Sequence, residues 1–494
     1  MSTNSKLNRR NFLRVSALAG GAAALAACGS AATPAAPTKA PAAEATKAPD
    51  QAAPAAPALD FAFPVEDAAH NPFGLDGKGV TLEGVHFKGG FGDDYIKFAG
   101  SMMEKLYPGL TYKHEGIQKI ADQIRPRLVG GNPPDVTDNS GAGSFPTIDL
   151  INEGQLQPLD ELMEAPSLDT PGVKFKDTLF PGSQEDGFID GKQWYVNIAY
   201  TTSGIWYSKP LFESLKYTYP KTWDELLALC ETIKKDGKMA PWTYQGKYPY
   251  YMWGIVLFPL IQHAGGPGAL MAIDNLEPNA WKTPEIKRAV ESIYQLWDKG
   301  YIMKGTSALT HTESQAEWLN KKAAFIPCGT WLENEMKTVT PADFNMVVGS
   351  IPGFADGKGD QKAVQASGGE PFVVWAKGKN PKFGMEFLRS QLSRSSARYF
   401  AENVSSLMPV KDATEGAKIS SGTQSAIAMV NASGGANIKF QITNWYSTFT
   451  KDFETFTGEL LTGVKKPDDF INAVQELADK VAADPEVKKF KRDK

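Results

Sequence analysis

The chain has 494 residues, 42% hydrophobic and 22% charged, with a formal charge of −4; such values predict a globular protein of more than one domain and exclude a disordered or fibrous chain. It offers no basic stripe to hold phosphates, which excludes a nucleic-acid partner. Its five His and three Cys show no His-x-x-x-His or Cys-x-x-Cys spacing, so neither a metal site nor a cofactor is expected.

In chain order, Asn8-Arg9-Arg10-Asn11-Phe12-Leu13-Arg14 and the apolar run Val15 to Ala27 read as a twin-arginine export signal, too short to span a membrane. The run closes on Leu25-Ala26-Ala27-Cys28-Gly29, which resembles a lipobox, so Cys28 is expected to carry lipid and to begin the mature chain. Residues 1–27 hold four basic residues and no acid, and their removal takes the formal charge from −4 to −8. Residues 28–63, mostly Ala and Pro with Thr and Lys, cannot build a core; they are expected to tether a folded body to a membrane surface.

The body opens with a strand over Val80 to Phe87, the loop Gly89 to Asp94, and an amphipathic helix carrying Ile96, Ala99, Met103 and Leu106. A strand at Leu110 to His114, a helix at Ile117 to Leu128 and a strand at Pro134 to Asp138 continue the alternation. This predicts an α/β fold with a mostly parallel sheet and ligands at the carboxyl ends of its strands. Phe91, Asp93 and Asp94, after the first strand, and Asn139 and Ser140, after the third, are therefore site candidates. Gly90-Phe91-Gly92 is no nucleotide fingerprint, because Tyr95 stands where the third Gly belongs and no Lys-Ser/Thr follows. Turns needing positive φ account for these glycines, but not for an exposed pair Asp93-Asp94.

The sixty residues from Trp194 to Trp253 hold five of the eleven Trp and nine of the sixteen Tyr. Inside this stretch Thr222 and Glu225 predict a capping box. Trp223, Leu226, Leu227, Cys230 and Ile233 share one helix face and Gly237 falls at an αL C-cap, so Trp223 is core. The other rings flank this helix at Tyr200 to Tyr207 and Trp242 to Trp253, interleaved with Asn197, Gln245 and Lys247. They predict a pocket wall for a ligand with apolar faces and many hydroxyls, which describes a carbohydrate. An aromatic core explains several of these rings, but not all fourteen.

Downstream, Ile286 to Trp297 and Glu313 to Leu319 predict helices. Ala323 to Pro327 predicts a buried strand that runs into Cys328 to Asn334, followed by a strand at Phe344 to Gly349, the loop Gly368-Gly369-Glu370-Pro371 and a strand at Phe372 to Trp375. The remainder reads as helical, with Asn444-Trp445-Tyr446 standing out. Cys230 and Cys328 are the thiols of the exported body; a disulfide is open to them outside the cell, but a helix face and a strand end favour buried free thiols. Asp93, Asp94, Glu333, Glu335 and Glu370 lie near rings and leave a lipid-anchored glycosidase open, which needs two carboxylates at a defined separation.

From about Val80 onward the chain resembles the extracellular solute-binding proteins of sugar ABC transporters. The resemblance rests on Tyr107-Pro108-Gly109, Gly131 to Val136, Gly154 to Leu159, Trp206-Tyr207-Ser208-Lys209, Pro220 to Leu226, Ala323 to Trp331 and Phe387-Leu388 leading to Met408-Pro409-Val410. Phe87 to Tyr95, Asp138 to Gly143, Ala240 to Tyr251, Ile273 to Pro278 and Gly369 to Phe372 are similar to the branch that binds N-acetylglucosamine and diacetylchitobiose. The resemblance implies a two-lobed, periplasmic-binding-protein-like α/β fold with a hinge and an interlobe ligand cleft. Lobe 1 is expected over 64–200 and 369–411 and lobe 2 over 201–368 and 412–494, with crossings near Tyr200, Gly368 and Lys411. It further implies Trp331 as a sugar-stacking ring, Tyr250 on the opposite side and Trp445 as a third stacking position. Core packing competes for Trp331, which follows a buried strand, and for Trp445 beside Tyr446. Asn197, Tyr200, Gln245, Lys247, Tyr251, Glu333, Asn334, Glu370 and Tyr446 complete the expected site. No covalent step is implied; the expected partners are a small carbohydrate, ABC permease subunits and a membrane reached through the lipid, with the protein itself a monomer.

Overall fold

The computed structural model describes residues 61–65 and 69–493, so the export signal, Cys28 and most of the expected tether lie outside the described residues. The chain is held to the body from Phe61 onward. Lys105 Nζ sits 4.7 Å from the Phe61 ring centroid and the Arg394 guanidinium 3.7 Å from that of Phe63, whose backbone N–H donates to Ser395 Oγ at 3.3 Å.

Strand β1 (Thr81–Phe87) pairs in parallel with both β2 (Thr111–Ile117) and β3 (Val136–Asp138). The crossovers are the helices Asp94–Leu106 and Ile120–Val129, which bury Ile96, Ala99 and Met103 in the first case and Ile120 and Ile124 in the second. Apolar residues at helical spacing have one way to leave water here, which is to lie on the sheet. Next comes a separate hairpin of β4 (Phe188–Ile189) and β5 (Lys192–Gln193), turned through Asp190 and Gly191 at φ 52° and 80°.

The rest of the sheet departs from the expected parallel order. The 13-residue β6 (Val196–Ser208) is followed by β7 (Ala240–Trp242), β8 (Ala323–Gly329), β9 (Met346–Gly349) and β10 (Gln365–Val374). The order is β2-β1-β3-β10-β6-β8-β7, with β9 on β6. β10 is antiparallel to β3 and β6, and β6 to β8 and β9, while β7 and β8 are parallel. The reason is the route of the chain: β6 and β10 carry it out of the first half of the sheet and back, so they run in opposite directions. β6 puts Val196, Ile198 and Ala199 into a core with Leu82, Met103, Val136 and Phe387. Six residues later Ile205 joins a different core with Trp223, Trp242, Trp253, Trp281 and Phe453.

Gly368 to Pro371, expected as a loop, lies inside β10. Gly368 pairs with Tyr200, Gly369 with Ala199 and Pro371 with Asn197, while Glu370 at φ 55° interrupts the ladder for one residue. Two glycines, a proline without an N–H and one left-handed residue erase the strand pattern from the sequence, yet the pairing persists on both sides. Gly368 admits no side chain, since a Cβ there would collide with Ser183 O and Asn197 Nδ2. Tyr200 also donates its N–H to Leu407 O at 2.7 Å, and Leu179 bridges Val410, so the neighbourhoods of Tyr200, Gly368 and Lys411 adjoin.

The helix Trp223–Asp236 has its full capping box from Thr222 and Glu225 and ends on Gly237 at φ 66°; its buried residues are Trp223, Leu226, Cys230 and Ile233.

Candidate ligand-binding site

Because β1 and β3 are neighbours and β10 borders β3, the segments that follow β1 and β3 and the kink of β10 come together. Phe91 is buried on Phe400 (ring centroids 5.3 Å) and stands edge-on to Trp331 (6.5 Å). Trp331 follows β8, half-buried, and meets Tyr251 edge-on at 6.2 Å. Tyr251 in turn meets Tyr250 at 5.6 Å, and Tyr250 meets Trp253 at 5.1 Å. The Trp331 side chain passes so close to the first loop that a Cβ on Gly90 would lie 3.0 Å from Trp331 Cβ. Beside it, Asn334 Nδ2 donates to Gly90 O at 2.7 Å, tying the helix Leu332–Met336 to that loop. Trp331, Phe91, Tyr250, Tyr251 and Asn334 therefore form one group.

A second group is acidic. Asp138, the last residue of β3, is fully buried; Ser140 Oγ donates to its Oδ1, and Glu370 from the β10 kink lies against both. Burial pushes the Asp138 carboxyl well up, with repulsion from Glu370 adding to it, and burial also pushes Glu370 up. Two neighbouring buried carboxyls cannot both ionise cheaply, and Asp138 Oδ2 has no hydrogen-bond partner. Among the site residues Asp138 is the one the sequence reading missed, although an acid ending the buried strand Val136–Asp138 is itself a signal.

Asp93 is not the exposed acid expected. It is 5% exposed and its carboxylate is taken by His114 Nε2 (2.9 Å), Lys97 (3.0 Å) and Lys88 (3.1 Å). Burial works to raise its pKa, but these three donors outweigh it and hold it at about 2. The cause is its place ahead of the helix Asp94–Leu106, which turns it inward; Asp94 points out and pairs with Lys97 at 3.1 Å.

Other expected contacts serve the scaffold. Asn139 closes its own loop, accepting from Phe145 N and donating to Phe145 O and Thr147 Oγ1. Asn197 Nδ2 donates to Ser183 O at 3.0 Å, and the Tyr200 ring meets Phe180 edge-on at 5.2 Å. Glu333 accepts from Gly422 N and Thr423 N, capping the helix Ser421–Ala432, and also from Ser420 Oγ. Gln245 is fully buried; its Nε2 donates to Pro327 O at 3.0 Å while its Oε1 has no protein partner. Lys247 is exposed. Trp445 and Tyr446 stand apart from the Trp331 group among its ring contacts, and Phe490 stacks on Trp445 at 5.4 Å and 28°. Of the dense aromatic stretch, Trp206, Trp223, Trp242, Tyr244 and Trp253 are buried core.

Cys230 and Cys328 are buried free thiols, Cys230 raised by burial. Among the described residues no group of three or more His, Cys, Asp or Glu side chains is placed to hold a metal ion.

Residues 87–396 match the family model of the bacterial extracellular solute-binding proteins. The chain is 33% identical over 431 residues to the diacetylchitobiose binding protein NgcE of Streptomyces coelicolor, covering 86% of this chain and 90% of that one. Among solved structures, a chitin oligosaccharide binding protein aligns with a TM-score of 0.64 at 19% identity, over 78% of this chain and 94% of that one. The protein RafE in complex with raffinose aligns with a TM-score of 0.64 at 19% identity, over 81% and 99%. At such identities these two speak for the fold, which is periplasmic-binding-protein-like. With the family model matched over well over half its length, this chain belongs to the bacterial extracellular solute-binding proteins and is a binding protein rather than an enzyme.

Proposed function

We propose that this protein takes up a short acetamido sugar, N-acetylglucosamine or its β-linked disaccharide diacetylchitobiose, between two lobes and delivers it to the permease subunits of an ABC importer. The coarse part, a sugar-binding protein of an ABC transporter, is supported by the family and by the 33% identity to a diacetylchitobiose binding protein. The finer part is carried by one observation: Trp331 stands half-buried at the junction of Gly90, Phe91 and Tyr251 with the Asn334 amide beside it. A pyranose C–H face lies against such a ring, and an acetamido group offers an N–H and a C=O to polar groups such as Asp138, Glu370 and Asn334. The fold alone does not choose among sugars, since a raffinose complex matches as well as a chitin-oligosaccharide protein.

On this reading the cleft closes by bending where β6 and β10 pair at Tyr200 and Gly368, between a lobe of residues 64–200 and 369–411 and a lobe of residues 201–368 and 412–494. Among the described residues, the candidate acids Asp93, Asp138, Glu333 and Glu370 do not pair in a way that suits glycoside hydrolysis. Asp138 and Glu370 touch one another rather than standing the ~5 Å or more apart that the reaction needs, and Asp93 and Glu333 are engaged in the scaffold.

Titration calorimetry with N-acetylglucosamine, diacetylchitobiose, glucose and maltose tests the reading. A site built to pair an amide discriminates strongly against a sugar that lacks one, so both acetamido sugars should bind far more tightly; preferential binding of maltose refutes the assignment. The anchor is tested separately: Cys28→Ser should yield an exported protein free of membranes, and unchanged membrane fractionation refutes lipidation.

A further inference from the structure

Trp445 has an occupant on one face that belongs to the same chain. Phe490 stacks on it at 5.4 Å and 28°, and the backbone N–H of Phe490 donates to Tyr446 Oη at 3.1 Å. The segment carrying Phe490 has two ionic anchors of unequal strength, and Val487 and Phe490 also pack on the core that contains Tyr446. Arg492 Nη1 donates to the fully buried Asp274 at 2.6 Å and to Lys439 O at 2.7 Å, and its backbone exchanges two hydrogen bonds with the Asn275 side chain. Asp274 also accepts from Gln441 N and Ile442 N. One carboxylate therefore fixes both this anchor and the short helix Ile442–Trp445 that presents the ring. The other anchor is Lys488 to Asp190 at 2.6 Å, with 48% and 66% of the two side chains exposed. Exposed pairs of that kind add little.

Asp190 turns the β4–β5 hairpin, and Lys439 and Gln441 reach Glu185 and Asp186 just before it. Residues 486–493 thus cross from the core containing Tyr446 to the segment that leads into β6. The segment is firm at Arg492, loose at Lys488, and bears a ring between them.

We propose that residues 486–493 form a strap that sets the length of sugar the protein accepts: with Phe490 seated on Trp445 the groove ends there, and a longer chain has to displace Phe490 to stack on that ring. This rests on the reading that Trp445 lines the sugar groove. Displacement is feasible because the ring pair exchanges one apolar partner for another, and the loose anchor lets the strap swing about Arg492. On that reading a disaccharide held at Trp331 stops short of the strap, and a tetrasaccharide extends to it.

Calorimetry with diacetylchitobiose and the β-linked tetrasaccharide on the parent, Phe490→Ala and Lys488→Ala tests this. Phe490→Ala should raise the ratio of tetrasaccharide to disaccharide affinity by about tenfold, the equivalent of one freed stacking contact. Lys488→Ala, which releases the loose anchor and the ammonium that lies 5.0 Å from the Phe490 ring centroid, should move the ratio the same way by about two- to threefold. An unchanged ratio in both variants overturns the strap, as does an equal weakening of both sugars by Phe490→Ala, which would make Phe490 part of the groove wall. If parent and variants bind no acetamido sugar at all, the functional reading falls and takes the strap with it; sugar binding with an unmoved ratio removes the strap alone.

Discussion

The aromatic stretch 194–253 and the ring group around Trp331 are both rich in large side chains, but they are built in opposite ways. In the stretch, Trp206, Trp223, Trp242 and Trp253 are at most 3% exposed, and the rings pack on one another and on aliphatic neighbours such as Leu226, Ile233 and Ile261. Around Trp331, by contrast, Trp331, Tyr250 and Tyr251 stay half-buried over the buried Phe91, and polar atoms crowd in, including the Gly90 carbonyl and the Asn334 amide. Ring density alone therefore reports core. A ring left half-exposed beside a directed polar group reports a site.

The largest expected effect separates the two regions. Trp242→Ala empties a fully enclosed volume and should lower stability by about 3–5 kcal/mol, read as a fall in melting temperature and denaturation midpoint, while folded protein keeps its sugar affinity. Sugar affinity lost in parallel with stability would erase the distinction. Trp331→Ala should do the reverse. By analogy with flat ligands stacked on rings it should weaken binding by about 1–3 kcal/mol, with melting close to the parent. A variant that melts far lower yet binds normally would return Trp331 to the core.

How far the sequence carried is visible in the same residues. The crossover units and the Thr222–Glu225 box were legible because period and capping chemistry are local. β10 was not, because Gly368, Gly369 and Pro371 mimic a loop and its partner Asn197 lies far away in the chain. The inward turn of Asp93 was hidden for a similar reason: its partners Lys88 and His114 lie on opposite sides of it in sequence, and β-pairing brings them together. Expected site residues fell partly into scaffold roles, as Glu333 and Asn139 did, because a motif or a strand end fixes a position but not what folds onto it.

Asp138 and Glu370 allow a third measurement, in which pH replaces mutation of a ring. Burial raises both carboxyls above their ordinary range. The folded chain therefore keeps a proton that the unfolded chain releases above about pH 4. Folded protein binding more protons means that stability falls as pH rises through that window, by at most ~1.4 kcal/mol per pH unit for one proton, until the folded pair ionises as well. The buried His86 and His263 act with the opposite sign. Burial first, and for His86 repulsion from His114, depress them, so their contribution is lost as pH falls below about 6.5. Because Glu370 is raised by its own burial, Asp138→Asn combined with Glu370→Gln is the variant that removes the carboxyl slope alone. Denaturant midpoints at pH 5 and pH 7 should show the variant gaining on the parent at the higher pH; parallel midpoints would mean that the pair holds no extra proton.

The smallest effect concerns how the ring is seated. Asn334 was expected to meet the sugar, yet its Nδ2 already donates to Gly90 O at 2.7 Å, in the loop that also carries Phe91. A neutral hydrogen bond of this kind is worth about 0.5–1.5 kcal/mol net. If it acts by holding the Gly90 loop against Trp331, Asn334→Ala should weaken every bound sugar by a similar factor of about two to ten and leave their rank order intact. If the amide instead turns to the acetamido group when sugar arrives, the loss should fall on N-acetylglucosamine and diacetylchitobiose and spare sugars without an amide. Gly90 sharpens the choice, because Gly90→Ala places a methyl group about 3.0 Å from Trp331 Cβ and disturbs the seat without touching the Asn334 side chain. Equal losses for Asn334→Ala and Gly90→Ala across all sugars identify the seat as the shared cause. A loss confined to acetamido sugars in Asn334→Ala, with Gly90→Ala affecting all, assigns Asn334 to the ligand.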